Sequence, residues 1–225
     1  QTFEEGDEIS VYAWTGDATV APETRERVVN NAINKLTNGS WVSNPQMLWK
    51  NNRDKHYFIG VYPISAISDL SAGEYTFDET KQVESDLLVA VNKDGLSYNV
   101  DEQQTVPLTF THVMAKLVVN LTYKNQWGGI PTVEKVVVGN AAKEATINYL
   151  TKVVTPSTTA KEDFSLPEIT ENTKYVSVII PQEEVKQLTI VIGGKNFVYD
   201  NGTPFKLESG KITTVNLEVG RDEIK

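Results

Sequence analysis

The stretch VPLTFTHVMAKLVVNLTY, Val106–Tyr123, is the most informative part of the sequence because its hydrophobic phase changes partway. Side chains of a β-strand alternate between two faces, so one extra residue moves every following side chain to the opposite face. A β-bulge at Ala115-Lys116 would produce such a change, and so would a chain that leaves one sheet and enters another. The apolar set first occupies even and then odd positions: Leu108, Phe110, His112 and Met114, then Leu117, Val119, Leu121 and Tyr123.

Short strand patterns dominate the rest of the chain. They are rich in Val, Ile, Thr and Tyr, which fit a pleated, half-buried surface. Gly193-Gly194 separates two such runs and predicts a two-residue hairpin. Many short strands at this spacing predict an all-β protein built from sandwiches. The clearest patterns are Gly6–Trp14, Tyr57–Tyr62, Asp86–Val91, Tyr175–Ile180, Leu188–Ile192 and Ile212–Val219.

One segment, Pro22–Leu36, has apolar residues at helical spacing and therefore has two interpretations. A helix is the first. The second is a β-hairpin with strands at Asn30–Thr37 and Ser40–Val42, joined by a type I′ turn at Asn38-Gly39. We favour the hairpin, because the asparagines of this segment are weak helix formers and Asn-Gly suits the turn.

The length predicts two domains, because 225 residues exceed one small β-sandwich and suit two domains of about 100–150 residues. A polar break at Asp101–Gln104 separates the strand Leu87–Val91 from the stretch quoted above. We therefore predict two β-sandwich domains in tandem, residues 1–104 and 105–225.

Composition restricts the function. The net charge of −9 argues against nucleic acid or an anionic membrane surface as a partner. The chain has no cysteine, which excludes disulfides, thiolate metal sites and a cysteine nucleophile. No apolar run approaches the roughly 20 residues of a membrane-spanning helix.

The two histidines do not indicate catalysis. His112 belongs to the apolar even set, which predicts a buried histidine hydrogen-bonded within the protein, with a structural role. His56 lies in a charged segment and is predicted to be in a solvated turn. Neither has a nucleophile motif or a second metal-ligand histidine at suitable spacing. We therefore predict a protein that is not an enzyme, with no catalytic, cofactor-binding or metal-binding residue.

Several motifs together resemble the fimbrillin family, the subunits of bacterial type V pili. The most distinctive are Ser85–Ala90 and, after it, the pattern Phe-x-His-x-x-Ala-Lys at Phe110–Lys116. The resemblance extends over nearly the whole chain. Its other parts are Gly6–Ala13, Gly39–Trp41, Leu48-Trp49, Tyr57–Pro63, Pro181-Gln182 and Leu207–Lys211.

The resemblance implies transthyretin-like β-sandwich domains, export, and a lipoprotein precursor at the cell surface or outer membrane, anchored through a segment absent from this chain. It also implies a structural adhesion subunit of a fimbria, or pilus, that donates a β-strand to the next subunit. Its partners would be other fimbrial subunits and a surface glycan or protein. The alternative is a stand-alone glycan-binding module that uses the tryptophans Trp14, Trp41, Trp49 and Trp127.

Two terminal strands are candidates for strand exchange. In Thr213–Val219 the residues Val215, Leu217 and Val219 form one apolar face, and the other face is polar. The first strand carries Ile9 and Val11 on one face. Backbone hydrogen bonds would supply the affinity of an exchanged strand, and alternate side chains would fix its register. We expect the isolated chain to keep Thr213–Val219 docked in its own second domain.

Overall fold

A computed structural model describes residues 2–101 and 104–224, and β-strands dominate it. One short α-helix, α1 (Gln82–Ser85), and two 3-10 turns, Thr24–Glu26 and Asn125–Trp127, are its helical elements. The strands in chain order are β1 (Glu8–Thr15), β2 (Val29–Thr37), β3 (Ser40–Asn44), β4 (His56–Tyr62), β5 (Gly73–Thr76), β6 (Leu88–Leu96), β7 (Thr111–His112), β8 (Ala115–Tyr123), β9 (Val133–Ala142), β10 (Glu144–Asn148), β11 (Val153–Pro156), β12 (Lys161–Ser165), β13 (Glu168–Thr170), β14 (Lys174–Ile179), β15 (Gln187–Ile192), β16 (Lys195–Asp200) and β17 (Ile212–Val219).

The chain forms two compact units, and each is discontinuous in sequence. The first contains Gln1–Gly73, Leu87–Val113 and Ile147–Val153, and the second contains Glu74–Asp86, Met114–Thr146 and Val154–Lys225. These units divide the chain differently from the boundary predicted between residues 104 and 105. That boundary, and the tandem arrangement it implies, stay predictions.

A six-stranded sheet organises the first unit, in the order β3-β2-β1-β4-β6-β7. The β2–β3 hairpin confirms the favoured interpretation of this segment. Asn38 and Gly39 both have positive φ, at 52° and 74°, as a type I′ turn requires. A three-stranded sheet with the order β11-β10-β5 is formed mostly by residues of the second unit.

Strand β1 is buried on both faces, because other parts of the first unit cover the sheet. One of these covers is the extended segment before β7, whose Leu108 and Phe110 pack against the core cluster containing Val11. The approach at Gly60 is close: a Cβ there would lie 2.6 Å from Phe110 Cζ. Glycine at this position therefore lets the covering segment lie directly on the sheet.

The structure explains the phase change as a change of sheet. Strand β7 pairs with β6 in the six-stranded sheet, and three residues later β8 starts in a different sheet, between β14 and β17. The odd-numbered residues Leu117, Val119 and Leu121 are buried there, as the odd phase predicts. Of the two predicted explanations, the sheet change is therefore the one observed.

Two four-stranded sheets build the second unit, in the orders β12-β9-β15-β16 and β13-β14-β8-β17. Gly193 and Gly194, both with positive φ, join β15 to β16 and confirm the predicted hairpin. Each sheet buries alternate residues, which is the pattern of a sandwich core. The buried residues of the first sheet include Val136, Val138, Leu188 and Ile190, and those of the second include Leu117, Val119, Tyr175, Ile179, Leu217 and Val219.

Both histidine predictions are wrong in burial. His112 is half-buried, because β7 lies at the edge of its sheet. His56 is the buried histidine, with 1% of its surface exposed. Its ring links two points of the loop before β4. Its Nε2 accepts a hydrogen bond from the Lys50 backbone N–H at 3.0 Å, so Nδ1–H is the donor to the Asp54 carbonyl at 2.9 Å.

Removing the His56 ring should destabilise the protein, because the Lys50 N–H and the Asp54 carbonyl lose their partners. We expect His56→Ala to lower the free energy of unfolding by about 1–3 kcal/mol in a urea titration. Arg53→Ala, at an exposed position in the same loop, is the control and should change it little. A His56→Ala protein as stable as this control would show that the ring does not hold the loop.

Tyr149 is buried in the first unit against Gly73, where a Cβ would lie 2.5 Å from the Tyr149 ring. Burial raises the pKa of Tyr149 to about 12. The folded protein therefore favours the neutral phenol more than the unfolded chain does, whose tyrosine pKa is about 10. This stabilisation is complete below pH 10 and is lost as the pH rises through 12.

Tyr149→Phe should reduce the alkaline loss of stability. Two pKa units correspond to about 2–3 kcal/mol, so the wild-type free energy of unfolding should fall more steeply between pH 10 and 12 than that of the variant. Urea titrations at pH 9, 10, 11 and 12 measure this slope. Equal slopes would contradict a raised pKa at Tyr149.

Candidate assembly surface

Strand β17 lies at the edge of its sheet and runs parallel to β8. The register pairs Ile212 with Lys116 at one end and Val219 with Tyr123 at the other, without a bulge. Parallel neighbours need a long crossover, and here the whole of β9–β16 lies between the two strands in sequence. Strand β17 is therefore placed by its partner β8 and not by a local turn.

The inward face of β17 is the predicted apolar face. Leu217 and Val219 are buried, at 2% and 0% exposure, and Val215 is half-buried. Register partners in a sheet share a face, so Leu217 lies beside Leu121. Asn216 and Glu218 are exposed on the opposite face, as the alternation predicts.

The outer edge of β17 carries unpaired backbone groups. Lys116 N–H donates to Lys211 O and Lys124 N–H donates to Val219 O, both at 3.0 Å, so odd-numbered residues of this segment direct their backbone groups at β8. The even-numbered residues therefore direct theirs outward. Within the described part of the chain, no strand pairs with the outer edge over Ile212–Glu218.

Polar side chains on the exposed face form additional hydrogen bonds between β8 and β17. Asn120 Nδ2 donates to Asn216 Oδ1 at 2.9 Å, and these residues are register partners. Thr122 Oγ1 donates to the Leu217 carbonyl at 3.3 Å. The Asn120–Asn216 bond is exposed and contributes little against competition from water, whereas the Thr122–Leu217 bond is partly buried.

A C-terminal clamp, formed by residues 220–224 with Lys124 and Trp127, holds the end of β17. The Val219 carbonyl accepts hydrogen bonds from the Lys124 backbone N–H and from Trp127 Nε1, each at 3.0 Å. The chain then turns back, since Gly220 N–H donates to Glu223 O at 2.7 Å and Ile224 bridges to Val219. The clamp thereby covers the end of the outer edge.

Charged groups close this clamp. Lys124 Nζ forms an ion pair with the Glu223 carboxylate, which raises the pKa of Lys124 through the hydrogen bond. The Arg221 guanidinium lies 5.5 Å above the Trp127 ring. Both contacts are partly exposed, so salt should weaken the ion pair. Sequence patterns missed this cluster, because isolated basic and acidic residues are common in an acidic chain.

The other candidate strand has a different environment. Strand β1 lies between β2 and β4, and Ile9 and Val11 are buried at 4% and 3% exposure. Exchange of β1 would break backbone pairing on both sides, whereas release of β17 breaks it on one. Of the two candidate strands, β17 would therefore lose fewer backbone hydrogen bonds on release.

The remaining sequence candidates do not converge on a catalytic centre. His112 lies in β7 of the first unit, far along the chain from β17, and no cluster of three or more potential metal ligands occurs among residues 2–101 and 104–224. Trp14 is buried, Trp49 and Trp127 are half-buried, and Trp41 is exposed beside Phe3. None of the described helices is long and apolar enough to cross a membrane.

Comparisons with known proteins agree with this architecture. The sequence profile of the fimbrillin-like family matches residues 1–225. A candidate cell adhesion protein of Bacteroides uniformis is 19% identical with a TM-score of 0.75, over 100% of this chain and 90% of that one. A fimbrial protein of Bacteroides vulgatus is 11% identical with a TM-score of 0.59, over 96% and 91% of the two chains. At these identities the structures show a shared fold. No curated protein sequence matches the chain.

Truncating Leu217 should destabilise the second unit, because a buried side chain beside Leu121 would be replaced by a cavity. We expect Leu217→Ala to lower the free energy of unfolding by about 2–5 kcal/mol in a denaturant titration. Glu218→Ala, on the exposed face of the same strand, should change it by less than about 0.5 kcal/mol. Similar values for the two variants would mean that β17 does not contribute to the core.

Proposed function

Because the chain belongs to the fimbrillin-like family, we propose that it is a structural subunit of a bacterial cell-surface fimbria and serves in adhesion. Within this role, β17 is the strand that one subunit donates to another. The observation that carries the proposal is the position of β17 at a sheet edge, with a buried apolar face and an unpaired outer edge.

Exchange of β17 conserves its interactions. A subunit that releases the strand loses the ladder to β8 and exposes Leu217 and Val219. A second subunit that offers an equivalent groove restores both, so the two states differ little in contact free energy. The difference between monomer and polymer then lies mainly in the barrier to release.

The outer edge is protected against uncontrolled pairing. Thr214, Asn216 and Glu218 make the exposed face of this edge strand polar, and the clamp covers the end of the edge. Polar edges of this kind discourage aggregation between sheets. The isolated protein should therefore remain a monomer until a trigger releases β17.

The same role implies location and partners. A fimbrial subunit is exported to the cell surface and contacts other fimbrial subunits, and we extend the proposal to both. Attachment to the outer membrane through a lipid, and a transthyretin-like topology of each domain, remain predictions from the family resemblance. The role is structural, so the proposal assigns no catalytic residue.

A disulfide between β8 and β17 tests the proposal directly. Thr122 and Glu218 are exposed register partners on adjacent strands, and adjacent strands lie about 5 Å apart, within disulfide range. The chain has no other cysteine. Cells that produce Thr122→Cys/Glu218→Cys as their sole copy should form no surface polymer under oxidising conditions and should regain it with a reductant.

The control is a disulfide that leaves β17 free. Val118 and Val176 are register partners on β8 and β14, so Val118→Cys/Val176→Cys should polymerise in both conditions. Electron microscopy and sedimentation of sheared surface material measure the polymer. Normal polymer from the oxidised Thr122/Glu218 variant would exclude donation of β17, and absence of polymer from wild-type cells would exclude the fimbrial role.

A further inference from the structure

A cleft in the first unit is lined by residues of that unit, whereas β17 belongs to the second unit. Its volume is about 680 Å³. One wall comes from the loop between β1 and the 3-10 turn Thr24–Glu26, and the other comes from the loop before β4. The lining residues that matter here are Trp14, Val20, Arg25, Leu48, Trp49 and Lys50.

Buried rings fix both walls. Trp14 Nε1 donates to the Asp17 carbonyl at 2.9 Å and so holds the first loop. His56 accepts from the Lys50 N–H, and its ring meets the Trp49 ring edge to face at 4.9 Å. The cleft is therefore formed before any ligand arrives, which reduces the entropy lost on binding.

Large apolar side chains at the cleft are exposed to solvent. Leu48 is 67% exposed and Val20 is 59% exposed, and Trp49, which also lines the cleft, is half-buried and packs against the core cluster of the first unit. An aliphatic side chain beside an indole offers a flat apolar wall. Such a wall suits the C–H face of a sugar ring.

The charge in the cleft is opposite to that of the protein. The chain has a net charge of −9, yet two of its four arginines, Arg25 and Arg27, line this cleft together with Lys50. Arg25 pairs with Glu23 through Nε, and its two terminal nitrogens have no partner among the described residues. Within residues 2–101 and 104–224, the hydrogen-bond partner of Lys50 Nζ is the neutral Thr15 Oγ1, at 3.3 Å.

The acidic residues of the cleft are already engaged. Asp17 Oδ1 accepts from Thr19 N–H and Oγ1 at 2.8 and 2.7 Å. Glu26 accepts from the Glu23 N–H at 3.2 Å. Asp17 and Glu26 keep their negative charge in these contacts, but the cations Arg25, Arg27 and Lys50 outnumber them in the lining, and Arg25 and Lys50 can bind an external carboxylate.

We propose that this cleft binds a sugar that carries a carboxylate. The sugar ring would pack on Leu48 and Trp49, and its carboxylate would bind Arg25 and Lys50. A polyanion fits less well, because the negative charge of the whole chain opposes its approach. An acidic peptide would need partners for its backbone, and Trp14 and Thr15 are the strand residues of the lining. Both pair with β4 and lie past Ala13, where the ladder to β2 ends, so the free strand edge at the cleft is short.

A carboxylated sugar would be the adhesion target of the subunit, so the biological meaning of this site rests on the proposed function. The binding itself does not depend on assembly. It can be measured on the soluble monomer, so its failure and the failure of strand donation are distinguishable.

Titration of the 15N-labelled chain with methyl β-D-glucuronide, and separately with the methyl glycoside of N-acetylneuraminic acid, tests the site by NMR. At least one probe should give saturable shifts at the Lys50 amide and the Trp49 indole N–H, with a Kd in the millimolar range. Arg25→Gln and Lys50→Gln should each weaken binding at least fivefold. Arg53→Gln, at an exposed position outside the cleft, is the matched control and should not change the Kd.

Three results would overturn the proposal. The first is the absence of saturable shifts with both probes at 50 mM. The second is equal affinity for methyl β-D-glucoside, which would mean that the carboxylate is not recognised. The third is equal or tighter binding of N-acetyl-aspartate amide, which would mean that the site recognises any carboxylate and not a sugar.

Discussion

The parallel ladder between β8 and β17 is the interaction on which the second unit depends. Strand β8 is central in its sheet, and each of its edges is covered by a strand from far along the chain, β14 on one side and β17 on the other. Until β17 docks, Leu117, Val119 and Leu121 lack the neighbours that complete their burial. Closing a loop this long has an entropic cost that only the finished ladder and its apolar face offset.

Under the proposed strand donation, the same ladder would serve in two states, the monomer and the polymer. Its backbone bonds and the buried face of Leu217 and Val219 hold the monomer together, and identical contacts would hold a neighbour in a polymer. Contact free energy alone therefore does not select between them. The C-terminal clamp, with its Lys124–Glu223 ion pair and the hydrogen bonds to the Val219 carbonyl, adds to the monomer contacts that must break before release. Control of assembly would then be kinetic.

Local patterns in the sequence predicted much of this fold. The Asn38-Gly39 and Gly193-Gly194 hairpins follow from turn chemistry, and the alternation in β17 follows from the period of a strand. The phase change between Met114 and Leu117 correctly indicated a break in the β-structure. These features depend on neighbouring residues alone.

Long-range partners were not predictable in the same way. Nothing in the segments 74–86 and 147–153 indicates that each joins a unit different from its flanking sequence. A charged segment around His56 looks solvated, although the fold buries the ring and pairs both nitrogens. The clamp also escaped prediction, because Lys124 and Glu223 are 99 residues apart, Trp127 and Val219 are 92 residues apart, and the β8–β17 ladder brings both pairs together. Hydrophobic periodicity specifies which face is buried but not which strand lies beside it.

The central claim is that β17 can leave its sheet while the rest of the second unit stays folded. Native-state amide hydrogen exchange at low denaturant measures this residue by residue. The account predicts that the odd-numbered amides of β17, which face β8, exchange through an opening at least about 2 kcal/mol below global unfolding, while β14 and β8 amides bonded to β14 exchange only globally. It also predicts that 0.5 M NaCl lowers the β17 opening free energy further by screening the clamp. Equal opening free energies for β17 and β14 would show that β17 is an inseparable part of the core, and would contradict the account.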